Sequence, residues 1–331
     1  MKGDQPEKNE ASNTSAYRLM LPAWVWLIKG PDEPLELMQQ SAATVVSFQL
    51  EEVFSMSLAA GIDITALRAG LMVFNFSNWP SGVVTDDSFD ERVRAQSQRV
   101  KVANAHLLCV HSTYLTTESL SVQTQRIAPR DLLSQGGGGH GGAATRIFTG
   151  LNPLEVIGAS LVVPEVVLTD SLNKLDAILT HDLEFALDLV VLLHQAHVAY
   201  QEYDYSLTTV LAWTVCEALL NTKWNGYLDE QKQREQDGNS ITAINSSRRS
   251  FLTSGNITAN IMSEVLELSG KLPLDLYIKL QSPRKARNKW LHDLHAPSGK
   301  SAADALEAAR LFINDFFGFD LQLSTGRSIT G

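Results

Sequence analysis

Apolar and polar positions change rhythm part-way along the chain. Over residues 17–77 the apolar residues come in short runs and alternations, the rhythm of strands. Tyr17 to Ile28 is rich in aromatic and branched side chains. Thr44 to Phe54 mixes alternating and continuous apolar pieces, and Gly70 to Phe76 reads Gly-Leu-Met-Val-Phe-Asn-Phe. Each predicts a strand, because branched and aromatic side chains suit a pleated surface. Asn78-Trp79-Pro80-Ser81-Gly82 predicts a turn. From Phe89 to Thr116 the step lengthens. Val100, Ala103, Leu107, Val110 and Tyr114 recur three or four apart, which places them on one face of a helix.

A further strand is predicted around Leu154 to Val163, closed by Pro164, and helices follow almost to the end. The first runs from Thr180 to Tyr203. The second runs from Tyr205 to Leu228, with Leu207, Leu211, Val215, Ala218 and Leu219 on one face. The polar stretch from Asp229 to Ser254 predicts partial disorder. A third helix covers Thr258 to Leu268 and stops at Gly270. A short helical piece spans Leu274 to Gln281, and Ser282-Pro283 predicts a restart, Ser as N-cap and Pro at the first helical position. That helix ends near Leu294, before Pro297. The last runs from Ser301 to Phe317, with Ala303, Leu306, Ala309 and Phe312 inward.

Between the two rhythms lies Gln135-Gly136-Gly137-Gly138-Gly139-His140-Gly141-Gly142. Glycine this dense loses too much backbone freedom on folding, so a loop or linker is expected. No Lys-Ser or Lys-Thr follows it, as a phosphate-binding P-loop requires. The resulting organisation is a tail (1–16), an N-terminal mixed α/β domain (17–134), a linker (135–145), a strand-bearing connector (146–172), a helical bundle (173–322) and a second tail (323–331). The class is α+β overall.

Composition narrows the possibilities. The chain has 331 residues, 44% of them hydrophobic, which suits one large or two ordinary domains. A formal net charge of −10 argues against a uniformly basic nucleic-acid binder, so any phosphate contact needs a local patch. It also argues against a peripheral membrane protein. Cys109 and Cys216 lie in apolar helical surroundings and read as buried thiols of a reducing compartment. Leu19 to Ile28 is broken by Pro22, and Leu183 to Tyr200 carries Glu184, Asp188, His194 and His197, so neither reads as a membrane span. No signal peptide is evident, and a cytoplasmic protein is expected.

The chemistry-bearing stretch is Arg287-Asn288-Lys289-Trp290-Leu291-His292. At about 100° per residue, Asn288 and His292 share a helix face and Arg287 borders it. Trp290 points to the other side, where its ring is expected in the core. Arg287 and His292 sit about 140° apart on one ideal helix. One copy is therefore a poor site, and two copies facing each other across a two-fold axis make a better one. An imidazole moves protons near neutral pH, and a guanidinium holds phosphate charge. Lys279, Arg284, Lys285 and Lys289 make the surroundings basic, and Arg248 and Arg249 lie in the polar stretch before. These six are the candidate RNA-binding residues, against the plainer account of a solvated helix face.

The spacing resembles the R-x4-6-H signature of the HEPN family, helical-bundle domains rich in ribonucleases. The resemblance extends over 176–321, through Ala212 to Leu220, through Leu-Pro-Leu-Asp-Leu at 272–276 and through the Ala-rich last helix. It implies an all-helical bundle and a homodimer with a composite site. It also implies metal-independent cleavage of RNA by the 2′-hydroxyl, yielding a 2′,3′-cyclic phosphate, in a toxin or an effector of antiphage defence. Arg287 and His292 would then be the working pair. Asn288 would orient His292 or bond a phosphate oxygen. Glu217 is either a partner of a motif charge or a surface carboxylate, and His295 borders the cleft. Asp293, should it approach His292, would raise that pKa. No cofactor is implied. Partners would be RNA, a second copy and a regulatory protein or antitoxin. The same bundle also serves as a non-catalytic dimerisation or nucleotide-binding module, since a fold does not establish an activity.

Other residues carry less. His292 and His295, like His194 and His197, have the three-residue step of zinc ligands; Cys216 could in principle join one pair, but further ligands are wanting and both cysteines lie elsewhere in the sequence, so no metal is expected. His106 and His111 have no evident partner. Trp213, Trp224 and Trp290 read as core, and Trp24, Trp26 and Trp79 fall in the strand-rich half.

Overall fold

A computed structural model describes residues 16–20, 25–26, 52–67, 71–76, 78–82, 88–117, 161–162, 165–236, 239–255 and 257–324. The Gly-rich run with His140, half of Tyr17 to Ile28, most of Thr44 to Phe54 and of Leu154 to Val163, and nearly all of both tails lie outside these residues. The chain divides into two compact units, Met1–Asp188 and Leu189–Gly331.

The first unit holds an antiparallel sheet of β1 (Ala16–Met20), β3 (Glu52–Ser57), β4 (Asp63–Leu67) and β5 (Leu71–Asn75), in the order β1-β5-β4-β3. A separate parallel pair joins β2 (Val25–Trp26) to β6 (Leu161–Val162). Ile62, Ile64 and Ala66 alternate inward, as do Met72, Phe74 and Phe76, so adjacent strands present one apolar face. Strand β4 carries little sequence signal because Asp-Ile-Thr-Ala-Leu is only five residues long.

Helix α1 (Phe89–Thr117) packs with α2 (Glu165–Leu179). All five periodic positions of α1 are buried, and the His106 ring meets Phe74 edge-on at 5.4 Å. Asp176 of α2 accepts from the amides of Ala59 and Ala60 at 3.0 and 3.1 Å, tying that helix to the β3–β4 turn. Gly61 in the turn has φ +90°, and a Cβ there would lie 2.6 Å from the Asn78 carbonyl oxygen. His106 has a partner after all, the Ser171 hydroxyl at 3.3 Å.

The helix expected over Thr180 to Tyr203 is shorter, α3 (Ala186–Gln201); α2 precedes it, and in the turn between them the His181 ring accepts from the Leu183 amide. The boundary between the units falls inside α3. The second unit continues with α4 (Tyr205–Glu230), the hairpin β7 (Gln233–Gln236) and β8 (Asn239–Thr242), α5 (Ser246–Leu252), α6 (Ala259–Leu268), α7 (Leu274–Asp293) and α8 (Gly299–Phe317). Asp204, Asn245, Thr258 and Ser298 cap α4, α5, α6 and α8 by accepting from amides three residues on. The hairpin and α5 correct two expectations: the bundle is not all-α, and Asp229 to Ser254 is largely structured. The local polarity hid these elements because long-range contacts hold them, such as the Trp224 indole donating to the Leu252 carbonyl at 2.8 Å.

The core of this unit lies between α4 and α8. Ala302, Ala305, Leu306, Ala308, Ala309, Phe312 and Ile313 are buried on α8, and Ala212, Val215, Cys216 and Leu219 on α4, which packs against it. Leu207, expected inward, is 40% exposed. Its place in the first turn leaves it beyond the covering helices. The Lys223–Asp315 ion pair (2.9 Å) and the packing of Tyr205 on Gly299 show α4 and α8 to be parallel. Helix α7 runs antiparallel to α8, since Ser282 meets Asp304 and Lys279 meets Glu307.

Candidate active site

Helix α7 carries the motif and is unbroken from Leu274 to Asp293, with Pro283 inside it. The expected restart at Ser282-Pro283 is corrected: Ser282 reaches across to Asp304 at 3.4 Å instead of capping. Proline leaves the Lys279 carbonyl without its helical donor. Burial of Leu276, Leu280 and Pro283 itself holds the helix together across that gap. The helix ends at Leu294, which adopts the left-handed conformation at φ 53°.

Arg287 donates through Nη1 to Asn288 Oδ1 at 3.1 Å, and its Nη2 lies 4.0 Å from Glu217 Oε2 on α4. Asn288, Leu291, His292 and Asp293 are exposed on α7, and His295 is exposed just past its end. No hydrogen bond or ion pair joins Arg287, His292, Asp293 or His295 to one another. A single chain therefore presents a guanidinium steered toward α4 and an imidazole open to solvent, about 7.5 Å apart along the axis. Trp290 is half-buried, not core. Trp213 and Trp224 are buried as expected.

The basic residues fall into two places. Lys285 and Lys289 are exposed on α7 and make no ion pair among the described residues. Arg284 is half-buried beside them, held by Gln281 Oε1 at 3.0 Å, with its Nε buried and lacking an acceptor. Gln281 had no mark in the sequence beyond its three-residue step to Arg284. Lys279 is 3.9 Å from Glu307. Arg248 donates to the Ala243 carbonyl at 2.9 Å, and Arg249 pairs with Asp229 at 2.5 Å. Asp229 and Glu217 are twelve residues apart on α4, so Arg249 stands about 18 Å from Arg287 along that axis by helical rise. Of these six cations, the four on α7 share the helix of the motif.

Cys109 and Cys216 are free thiols, and burial pushes Cys109 up to about 12 and Cys216 higher, far from a reactive thiolate. His194 and His197 are fully buried, and the His197 ring lies 3.2 Å from the Ser324 carbonyl. Among the described residues, no group of three or more His, Cys, Asp or Glu is placed to hold a metal ion. Nor is any helix there long and apolar enough to cross a membrane.

Comparison with known proteins returns no match to any family model, curated protein or solved structure. The HEPN resemblance gains nothing from them and stands on the motif and its helix alone.

Proposed function

We propose that this chain is a metal-independent endoribonuclease acting as a homodimer. One observation carries the reading. Arg287 and His292, the two side chains the chemistry needs, stand on one continuous helix, half-exposed and exposed respectively, with Lys285 and Lys289 beside them. The 2′-hydroxyl of RNA attacks the adjacent phosphorus. A neutral imidazole takes the hydroxyl proton, and an imidazolium returns one to the departing 5′-oxygen. The products are a 2′,3′-cyclic phosphate and a 5′-hydroxyl. Arg287 balances the charge gathered on the phosphoryl oxygens, with a forked donor set that an ammonium lacks. Asn288, bonded to Arg287, orients that fork. Because the two groups diverge around one helix, the second copy completes each cleft. His295 and Glu217 border the site. A toxin or antiphage effector in the cytoplasm, restrained by the N-terminal unit or by a regulatory partner, fits such an activity.

A second reading follows from Arg287 lying toward Glu217: a dimerisation or nucleotide-binding module without cleavage. One experiment separates them. Purified full-length protein is incubated with total RNA in EDTA, and the ends formed are typed. Cleavage leaving cyclic phosphates, lost in His292→Ala, supports the nuclease. RNA binding without cleavage in every condition supports the module.

A further inference from the structure

Two residues among those described, glycines aside, have positive φ: Tyr203 at 65° and Leu294 at 53°. Both follow helix ends. At α3 the Asp204 amide reaches the Ala199 carbonyl (2.9 Å), and at α7 the Leu294 amide reaches Trp290 (3.0 Å) and the His295 amide reaches Lys289 (3.3 Å). Glycine is the ordinary occupant of such a cap, because a Cβ crowds the backbone in the left-handed region. Here the positions carry a tyrosine and a leucine, and burial does not repay the strain: Tyr203 is 61% exposed and Leu294 76%. Strain kept without core packing points to function.

Both lie at one end of the second unit. Leu294 begins the short loop from the helix of His292 to Gly299, and Gly299 packs against Tyr205, where a Cβ would come within 3.1 Å of the ring. Tyr203 meets Tyr205 at 6.3 Å with planes 76° apart, and Tyr205 meets Tyr200 at 5.7 Å. The cluster therefore steadies Tyr203 while leaving most of it in solvent. We propose that Tyr203, backed by Tyr205, is a stacking platform for one unpaired base of single-stranded RNA. Every base offers a flat π-face, so such a platform selects unpaired strands over sequence. Lys300 in the first turn of α8 and Lys289 are exposed cations on this end, suited to the flanking phosphates. Asp204 turns its carboxylate to the Leu207 amide at 2.9 Å, and Glu202, also exposed, keeps phosphates to the lysine side. The proposal rests on the nuclease reading for its choice of RNA.

The probe is a fluorescein-labelled 2′-O-methyl oligoadenylate decamer, which cannot be cleaved, alone and annealed to its complement. Binding to the full chain is read by anisotropy and stability by thermal unfolding. Tyr203→Gly should bind the single strand about tenfold more weakly. Its unfolding midpoint should be unchanged or higher by about 2 °C, because glycine relieves the cap. Tyr203→Phe should bind as the wild type does. If Tyr203→Gly fails to fold, Tyr203→Asn replaces it, asparagine being tolerant of this backbone. Unchanged binding in the Gly or Asn variant, equal weakening on duplex and single strand, or no binding by wild type would each overturn the platform. Cleavage of total RNA is followed in the same preparations. A wild type that binds through Tyr203 and never cleaves retires the nuclease and keeps the platform. Cleavage with binding indifferent to Tyr203 does the reverse.

Discussion

The Arg287 guanidinium lies 4.0 Å from the Glu217 carboxylate and donates to the Asn288 amide oxygen at 3.1 Å. Both members of the pair are partly exposed, so water screens their attraction and the contact holds little of the fold's stability. Its consequence is directional: the acid keeps the arginine turned toward α4. Glu217→Gln should release it, raising affinity for single-stranded RNA about threefold by removing a nearby negative charge, with stability altered by less than about 1 kcal/mol. Anisotropy against salt concentration checks this, and weaker binding would show Glu217 to be a support of the site.

His292→Ala should lower RNA cleavage by roughly 10²–10⁴ while leaving the unfolding free energy within about 0.5 kcal/mol, because the side chain is exposed. Arg287→Lys should also lose activity, since an ammonium lacks the fork. Mixing the two inactive variants offers a direct look at the dimer. A composite cleft predicts partial recovery of cleavage in the mixture, and independent sites predict none.

The first unit should weaken in acid. Burial lowers the His106 pKa from its ordinary value to about 3. The folded form thus prefers the neutral ring, and the unfolded chain binds the extra proton. Stability from this group is complete above the unfolded pKa, near 6.5. It is lost as pH falls toward 3, by up to about 1.4 kcal/mol per pH unit. Urea unfolding across that window measures the slope, and His106→Gln should flatten it.

Arg310 is an anchor for the end of the chain. It grips Glu307 with two bonds of 2.8 and 2.9 Å and donates to the Leu321 carbonyl at 2.6 Å. The Arg310 hydrogen bonds hold the Glu307 carboxyl below its ordinary value. Arg310→Ala should cost about 2 kcal/mol, seen as a lower urea midpoint and faster proteolysis after Phe317.

Two glycines should respond differently to alanine. Gly61→Ala meets both a positive φ and the Asn78 carbonyl, and should cost about 2 kcal/mol or more. Gly318→Ala has the φ of +73° but open space around it, and should cost about 1 kcal/mol. Chemical denaturation of the two variants gives the comparison.

Helices α1, α4, α6 and α8 were legible within a few residues, because a 3.6-residue rhythm and a capping side chain are local properties. The sequence by itself also put the motif near the end of a helix and made Trp213 and Trp224 core. Only the tertiary structure decided that Pro283 sits inside one continuous helix, because burial across α7 overrides a proline's local preference. Only it separated Arg248 and Arg249 from the α7 cations, and raised a hairpin from a stretch that looked merely polar. Periodicity states which side chains share a face, and long-range packing decides what covers that face, where a helix runs out of cover, and which charges end as neighbours.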